Sequence, residues 1–368
     1  MMKKKITSLF LALALAAAMT GCSSSDNNSS PSSQASSGAE NSSVSSAVSS
    51  TPGAPAEDSS QPSPESAASG EKIRVAALKG PTAMGLVKLM DDNDHSEAPQ
   101  YDFSIYASPD EITPKLVQGE LDLAAVPANL ASVLYNKTEG KIQVLAVNTL
   151  GVLYIVESGD SVNTVEDLRG RTIFASGKGS TPEYALNYML SQNGIDPEKD
   201  VSIEWRSEHS ECVAALASTE NAVAMLPQPF ATTALTKNEN IRIALDMTKE
   251  WEKLAQDNGS PTTLITGVAV ARTDFVQQNP EAVKKFLEEY SSSVTYVTEQ
   301  NDAAAELVGN YDIVTAEVAK KALPQCNITF LSGSDMKDKL SSYLSVLFEQ
   351  NPQAVGGKLP ADDFYYAG

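Results

Sequence analysis

Gly119-Glu120-Leu121-Asp122-Leu123-Ala124-Ala125-Val126-Pro127 closes one helix, crosses a strand and opens the next helix. Gly119 ends a helix begun at Ser108-Pro109-Asp110-Glu111, where a capping-box spacing puts proline at the first helical position. Pro114 conflicts with a regular helix from Pro109, so a restart at Thr113 is expected. Residues 121–126 form a short apolar run of strand length. Pro127-Ala128-Asn129 then opens a helix that runs through Tyr135. Helix, strand and helix in such close succession define an α/β chain whose sheets are mainly parallel.

The same alternation extends outward in both directions. Strands are expected at 73–78, 103–106, 142–147, 151–156, 171–175, 201–205, 222–226, 241–245 and 265–271. Helices are expected at 83–90, after Thr164, and from Thr181 to near Gly194. Beyond Asn279-Pro280-Glu281, a cap followed by proline, the chain reads as mostly helical to Asn351. No short-period repeat is present.

The first seventy residues have a different character. Lys3, Lys4 and Lys5 precede an apolar run over 6–19, then Thr20, Gly21 and Cys22. A basic segment, a short apolar core and a small-residue exit make a secretory signal peptide over 1–21, too short to be a spanning helix of about 20 apolar residues. Residues 23–70 hold 20 serines and five prolines, with no aromatic residue, Leu, Ile, Lys or Arg. Such a segment buries too little apolar surface to offset its ordering entropy. As a flexible coil it would span roughly 35–42 Å.

Composition excludes several classes. The formal charge of -20 becomes about -23 once Lys3, Lys4 and Lys5 leave with the signal, which argues against nucleic acid and against flat adsorption on anionic lipid. Residues 71–368 suit two domains of about 150 residues each. After Cys22 only Cys212 and Cys326 remain, so the fold does not depend on disulfides, although these two could bond. With only His95 and His209 in the chain, no metal site and no cofactor is expected.

Several segments carry a family resemblance. Met19-Thr20-Gly21-Cys22 resembles the lipobox of bacterial lipoproteins, which implies a thioether-linked lipid on Cys22. The stretch 119–127 resembles the signature that ends the third strand of periplasmic-type solute-binding proteins. Thr164-Val165-Glu166-Asp167-Leu168-Arg169-Gly170-Arg171-Thr172-Ile173 resembles their entry into a second lobe. Ala222-Val223-Ala224-Met225-Leu226-Pro227-Gln228-Pro229 looks like the second-lobe counterpart of 119–127. Together these make the chain similar to type II substrate-binding lipoproteins of ABC importers, in the branch of sulfonate, taurine and thiamine-precursor binders. The resemblance implies a two-lobed α/β fold of the periplasmic-binding-protein type II, with a mainly parallel sheet in each lobe and a two-strand hinge. Lobe one is expected at 71–156 plus 268–368 and lobe two at 157–267, with crossings in 151–156 and 265–271. It also implies a monomer on the extracytoplasmic face of a bacterial membrane, with a permease and its ATPase as partners and no nucleic acid.

Four strand-to-helix turns should then face a cleft. In Lys79-Gly80-Pro81-Thr82-Ala83-Met84, Gly80 permits close approach and Thr82 beside Ala83 offers a hydroxyl and free N–H groups, or else Thr82 simply caps its helix. Asn129 offers an amide to a ligand or caps its own helix. Ser180 and Thr181, at a helix start after a glycine loop without Walker spacing, suit an anion or cap before Pro182. Gln228, between two prolines, touches ligand or serves the turn. Lys178 is expected in solvent or toward the hinge, and Tyr154, Tyr184 and Phe230 either close over a ligand or belong to the core.

Other groupings read as incidental. Asp91-Asp92-Asn93-Asp94-His95 lacks the glycine and glutamate of a calcium loop. Glu208-His209 near Cys212 has no third orienting group. The expected function is therefore capture of a small anionic, zwitterionic or heterocyclic nutrient without catalysis. A ligand-sensing or scaffold lipoprotein is the alternative. An enzyme like the thiamine-pyrimidine synthases of fungi is disfavoured, because their cysteine cluster and histidine are not visible here. A Cys22→Ser variant should leave the membrane fraction yet bind solute with unchanged affinity in calorimetry; lost affinity would contradict this division between anchor and body.

Overall fold

Two runs of alternating strands and helices follow one another along the chain, and each closes into its own sheet. The computed structural model describes residues 71–257, Gly259 and 262–368. The expected signal peptide, Cys22 and the serine-rich linker lie outside the described residues. The first run comprises β1 (Ile73–Leu78), α1 (Pro81–Met84), α2 (Val87–Asp94), β2 (Tyr101–Tyr106), α3 (Pro109–Gln118), β3 (Leu123–Pro127), α4 (Ala128–Lys137) and β4 (Ile142–Leu150). The second comprises β5 (Leu153–Ser158), β6 (Thr172–Ser176), α5 (Thr181–Gln192), β7 (Ser202–Arg206), α6 (His209–Ser218), β8 (Val223–Pro227), α7 (Phe230–Lys237), β9 (Ile241–Asp246) and α8 (Met247–Asp257). The chain returns through β10 (Ile265–Arg272), α9 (Thr273–Gln278), α10 (Pro280–Glu299), α11 (Asn301–Asn310), α12 (Ala316–Ala322), β11 (Ile328–Leu331) and α13 (Gly333–Gln350).

The first sheet has the order β11-β4-β10-β3-β1-β2 and the second β7-β6-β8-β5-β9. Apart from β11, the two orders are the same, with β10 and β5 in equivalent places. Both sheets are mixed: β1, β2, β3 and β4 point one way against β10 and β11, and β6, β7, β8 and β9 one way against β5. β1 runs parallel to β2 and β3, and β6 to β7 and β8. β10 and β5 arrive from the other sheet and run antiparallel to both neighbours. Helices cover both faces of each sheet, and apolar side chains fill the layers between.

The first change of sheet falls within the expected 151–156, at its start, and the return falls just before the expected 265–271. β5 lies wholly in the second sheet and β10 wholly in the first, so residues 153–156 and 265–267 belong to the sheets opposite to those expected. A strand paired along its length is a poor place to change sheets. The first passage occurs at Gly151-Val152, between the two ladders. Glycine is required there by close approach: a Cβ on Gly151 would stand 2.2 Å from Thr248 Oγ1 and 3.1 Å from a Leu264 methyl. The outward and return passages thus pack on one another.

Two further local readings are corrected and a third is refined. α3 continues through Pro114, which removes one bond near the start of a short helix, while the Ser108 capping box and left-handed Gly119 frame it. The single helix expected over 83–90 is two, because Ser293 of α10 inserts its hydroxyl between a natural i, i+4 pair. Its oxygen accepts from Leu89 N–H at 3.1 Å and its proton goes to the Gly85 carbonyl at 2.8 Å. The helical C-terminal region also contains β11, which pairs with the end of β4.

Asp122 ties the first sheet together. Its carboxylate, 4% exposed, accepts from Arg74 N–H at 3.0 Å, Arg74 Nε at 2.9 Å and Arg74 Nη2 at 2.6 Å, and from Arg272 Nη2 at 3.1 Å. Burial pushes this carboxyl upward, but the hydrogen bonds from Arg74, then Arg272, hold it below the usual range. Its stabilising contribution is therefore complete above about pH 4 and is lost as pH falls toward the native value. Asp122→Ala should lower unfolding free energy by about 3 kcal/mol in denaturant titrations at pH 7. It should also lose less stability than wild type on acidification below about pH 4.

Candidate functional site

β1, β2 and β3 run parallel in one sheet, and β6, β7 and β8 in the other. The C-terminal ends of all six meet at one cavity of about 110 Å³. β1 supplies Leu78 to Thr82, β2 leads to Ala107 and Pro109, and β3 ends in Pro127. β6 supplies Ser176, Gly177 and Ser180, β7 leads to Ser207, Glu208 and His209, and β8 ends at Pro227 and Gln228. Thr149, Val152, Leu153 and Thr266, at or beside the passages between sheets, complete the wall with Pro182 and Phe230. The space is many times what one water needs and suits a compact solute. A more open hollow of about 610 Å³ lies at the opposite end of β1, but the guanidinium groups of Arg74 and Arg272 there are already engaged by Asp122 and Asp274.

Gly80 makes the first turn possible. Its φ of 140° and ψ of -155° lie in a region essentially confined to glycine. It occupies the N-cap position expected for Thr82, whose hydroxyl instead donates to the Leu78 carbonyl at 2.9 Å. Ala83 is fully buried, outside the cavity wall, and its N–H donates to the Gly80 carbonyl at 3.0 Å. Ser180 stands on the wall at the N-cap position of α5, but its side chain makes no capping bond; its hydroxyl donates to Gly177 O at 2.9 Å.

Asn129 and Thr181 are fully buried and do not line the cavity; they hold each other. Thr181 Oγ1 donates to Asn129 Oδ1 at 3.2 Å, while Asn129 Nδ2 donates to Ala354 O at 3.0 Å and Gly179 O at 3.4 Å. This clasp joins α4 of the first run to α5 of the second. Asn129 does not cap α4, whose N-cap is Pro127. Gln228 reaches the wall but is also engaged: its Oε1 accepts from Thr232 Oγ1 at 2.8 Å, and Nε2 donates to Gln325 Oε1 at 3.2 Å. The structure thus brings Gly80, Thr82, Ser180 and Gln228 together and places Ala83, Asn129 and Thr181 outside the wall. Of the aromatics, only Phe230 reaches the wall. Tyr154 packs in the core, with its hydroxyl donating to Gln325 O at 3.3 Å, and Lys178 is exposed.

His209 is the chief residue that the sequence reading passed over. Nδ1 meets Ser176 Oγ, the ring packs against Phe230 at 4.9 Å between centroids, and Nε2 makes no hydrogen bond within the described protein. Desolvation pushes the ring down to about 4, so it is neutral at pH 7. The rule that selected four strand-to-helix turns applies equally to Arg206-Ser207-Glu208-His209, after β7. Cys212 is free and buried, and burial pushes its thiol up to about 11. Cys326 is likewise free. Among the described residues no cluster suits a metal ion, and no helix is long and apolar enough to cross a membrane.

Two like-ordered sheets around one inter-sheet cavity define the α/β architecture of type II periplasmic binding proteins. The chain belongs to the family of phosphonate periplasmic substrate-binding proteins of ABC transporters, whose family model matches residues 97–320. It is the substrate-binding component of an ABC importer. Among solved structures it is similar to an ABC transporter protein from Parabacteroides distasonis, with 23% identity, 80% of this chain and 98% of that one covered, and a TM-score of 0.66. The periplasmic aliphatic sulphonate binding protein SsuA of Escherichia coli gives 15% identity, 81% and 92% coverage, and a TM-score of 0.64. The alkanesulfonate-binding protein SsuA of Xanthomonas axonopodis pv. citri, bound to MOPS, gives 15% identity, 80% and 96% coverage, and 0.63. No curated protein sequence matches the chain.

Because the native ring of His209 resists protonation, the unfolded chain takes up that proton first as pH falls below about 6.5. Stability should therefore decline between about pH 6.5 and 4 on this account. An NMR titration should place the His209 midpoint near pH 4, and His209→Gln should remove that part of the decline. A midpoint near 6.5 would contradict the desolvated position assigned to the ring.

Proposed function

We propose that the protein captures a small organic monoanion of the sulfonate type between its two sheets and delivers it to an ABC permease on the extracytoplasmic face of the membrane. The observation that carries this reading is the convergence of six parallel strand ends on one cavity. The wall is largely neutral: hydroxyls from Thr82, Ser176 and Ser180, the neutral ring of His209, one cation at Lys79 and one carboxylate at Glu208. Leu78, Pro81, Pro109, Leu153 and Phe230 offer apolar surface to an organic body. A monoanion needs less opposing charge than a dianionic phosphonate, and Lys79 with the Nε2 side of the His209 ring can meet it; the Thr82 and Ser180 hydroxyls already give their protons to Leu78 O and Gly177 O.

The lobes proposed are 71–150 with 265–368, and 153–257, hinged at Gly151-Val152 and the segment before β10. A ligand touching both lobes favours closure to the extent that it binds the closed form better than the open one. We further propose that Cys22 carries the lipid anchor, that the body acts as a monomer, and that no bond is made or broken in the ligand. A neutral ring with no carboxylate behind it and a protonated Cys212 are poor equipment for nucleophilic catalysis.

Thermal-shift and calorimetric titrations should compare alkanesulfonates, aminosulfonates, alkylphosphonates and carboxylates of matched length. A sulfonate at a hundredfold excess over its Kd should raise melting by roughly 5 °C, with the matched phosphonates weaker. Silence from every sulfonate, or a clear preference for phosphonates, would overturn the ligand class.

A further inference from the structure

β10 is irregular where it borders the cavity. Its ladder pairs Ile265 with Leu150 and Gly267 with Thr149, one step on β4 against two on β10. Thr266 is the extra residue, and its pairing with β3 begins only at Gly267. Such a bulge re-aims a side chain out of the regular alternation, and here Thr266 lines the cavity.

The Thr266 hydroxyl oxygen is buried and has no hydrogen-bond partner in the protein. Its neighbours differ in this respect. Thr82 Oγ1 donates to Leu78 O at 2.9 Å, Thr149 Oγ1 to Asn148 Oδ1 at 3.0 Å, and Ser180 Oγ to Gly177 O at 2.9 Å. The strand cannot easily shift to relieve Thr266. The adjacent Gly267 is pressed so closely that a Cβ there would stand 2.6 Å from both Asn148 Oδ1 and Thr82 Cγ2. A buried hydroxyl held without a partner is unfavourable in the free protein. It becomes useful if a small rotation of the side chain toward the cavity lets an occupant supply the missing bond.

We propose that Thr266 is a specificity-determining ligand contact, its hydroxyl donating to an acceptor oxygen of the bound acid. This rests on the cavity being the solute site proposed above. β10 belongs to the first sheet, whereas Ser180 and His209 stand at the ends of second-sheet strands. Ser180 Oγ spends its proton on Gly177 O, so one solute bonded to Thr266 and to His209 Nε2 would couple the two sheets directly.

Thr266→Val keeps the β-branched shape and removes the hydroxyl, while Thr266→Ser keeps the hydroxyl. Each should be titrated calorimetrically with the tightest binder of the sulfonate, phosphonate and carboxylate panel, and melted without solute. The Val variant should bind about tenfold more weakly, the Ser variant within about threefold of wild type. Without solute the Val variant should melt at or above the wild-type temperature, since it loses an unsatisfied buried group. Wild-type affinity in the Val variant would overturn the proposal. So would a lower melting temperature of solute-free Val, which would mean that the hydroxyl has a protein partner. A wild-type protein that binds none of the panel would refute the ligand class instead, and the solute-free melting comparison would then decide the role of Thr266.

Discussion

The buried carboxylate of Asp122 is the constraint on which the first half of the site depends. It sits just before β3, receives the head of Arg74 at the start of β1, and receives Arg272 at the end of β10. Backbone bonds at the same place link Asp122 N–H to the Arg74 carbonyl and Arg272 N–H to the Asp122 carbonyl. Three strands are therefore fixed in register at one end. At the other end those strands deliver Gly80 and Thr82, Pro127, and Thr266 to the cavity. A one-residue slip in any of them would turn its side chains to the opposite face. A buried charge pair adds little to stability compared with apolar packing but is expensive to break. Its role here is to specify register.

The second sheet repeats the device in different residues. Glu157 of β5 is 1% exposed and is held by Arg242 of β9 and by the N–H groups of Ser161 and Val162. Between the two pinned sheets lie a few polar bridges: Asn129 with Thr181, Gln228 with Gln325, and Tyr154 with Gln325. All are neutral hydrogen bonds, which exchange with water for a net of only about 1 kcal/mol each. On the hinged reading, such bridges place open and closed forms close in free energy. A modest differential affinity of the ligand can then shift the population. Strong ionic locks across the cavity would defeat that sensitivity.

Much of this was legible in the sequence because it rests on local patterns. The run 119–127 announced helix, strand and helix, and the ends of β1, β3, β6 and β8 were marked by Gly80, Pro127, Gly177 and Pro227. What escaped was set by partners distant in sequence. No local signal says that Ser293 will split the helix after β1, or that Thr181 will spend its hydroxyl on Asn129. The mixed character of the sheets has the same origin. β10 and β5 read as ordinary strands, and only the exchange between sheets makes them antiparallel. The polar residues at these strand ends were read as touching ligand or serving their own turns, and no local signal says that Asn129 and Thr181 bond each other or that Gln228 bonds Gln325. His209 was missed for a simpler reason: the turn after β7 was judged by its resemblance to a dyad and not by its place at a strand end.

The contrast between the surface and the cavity has a physical logic. A formal charge of -20 is spread over a chain whose cavity wall holds one lysine, one glutamate and a neutral histidine. A dense cluster of cations inside would attract small anions indiscriminately, with phosphate, sulfate and carboxylates competing for the same charge. On the reading proposed above, the neutral ring of His209 and the Thr266 hydroxyl discriminate by geometry, because each rewards an acceptor only at hydrogen-bond distance and angle. On the same proposed reading, apolar side chains such as Leu153 and Phe230 would favour the organic body that inorganic anions lack. On this argument the modest electrostatics of the cavity serve selectivity, and the register fixed by Asp122 matters because neutral recognition tolerates little displacement of the strand ends.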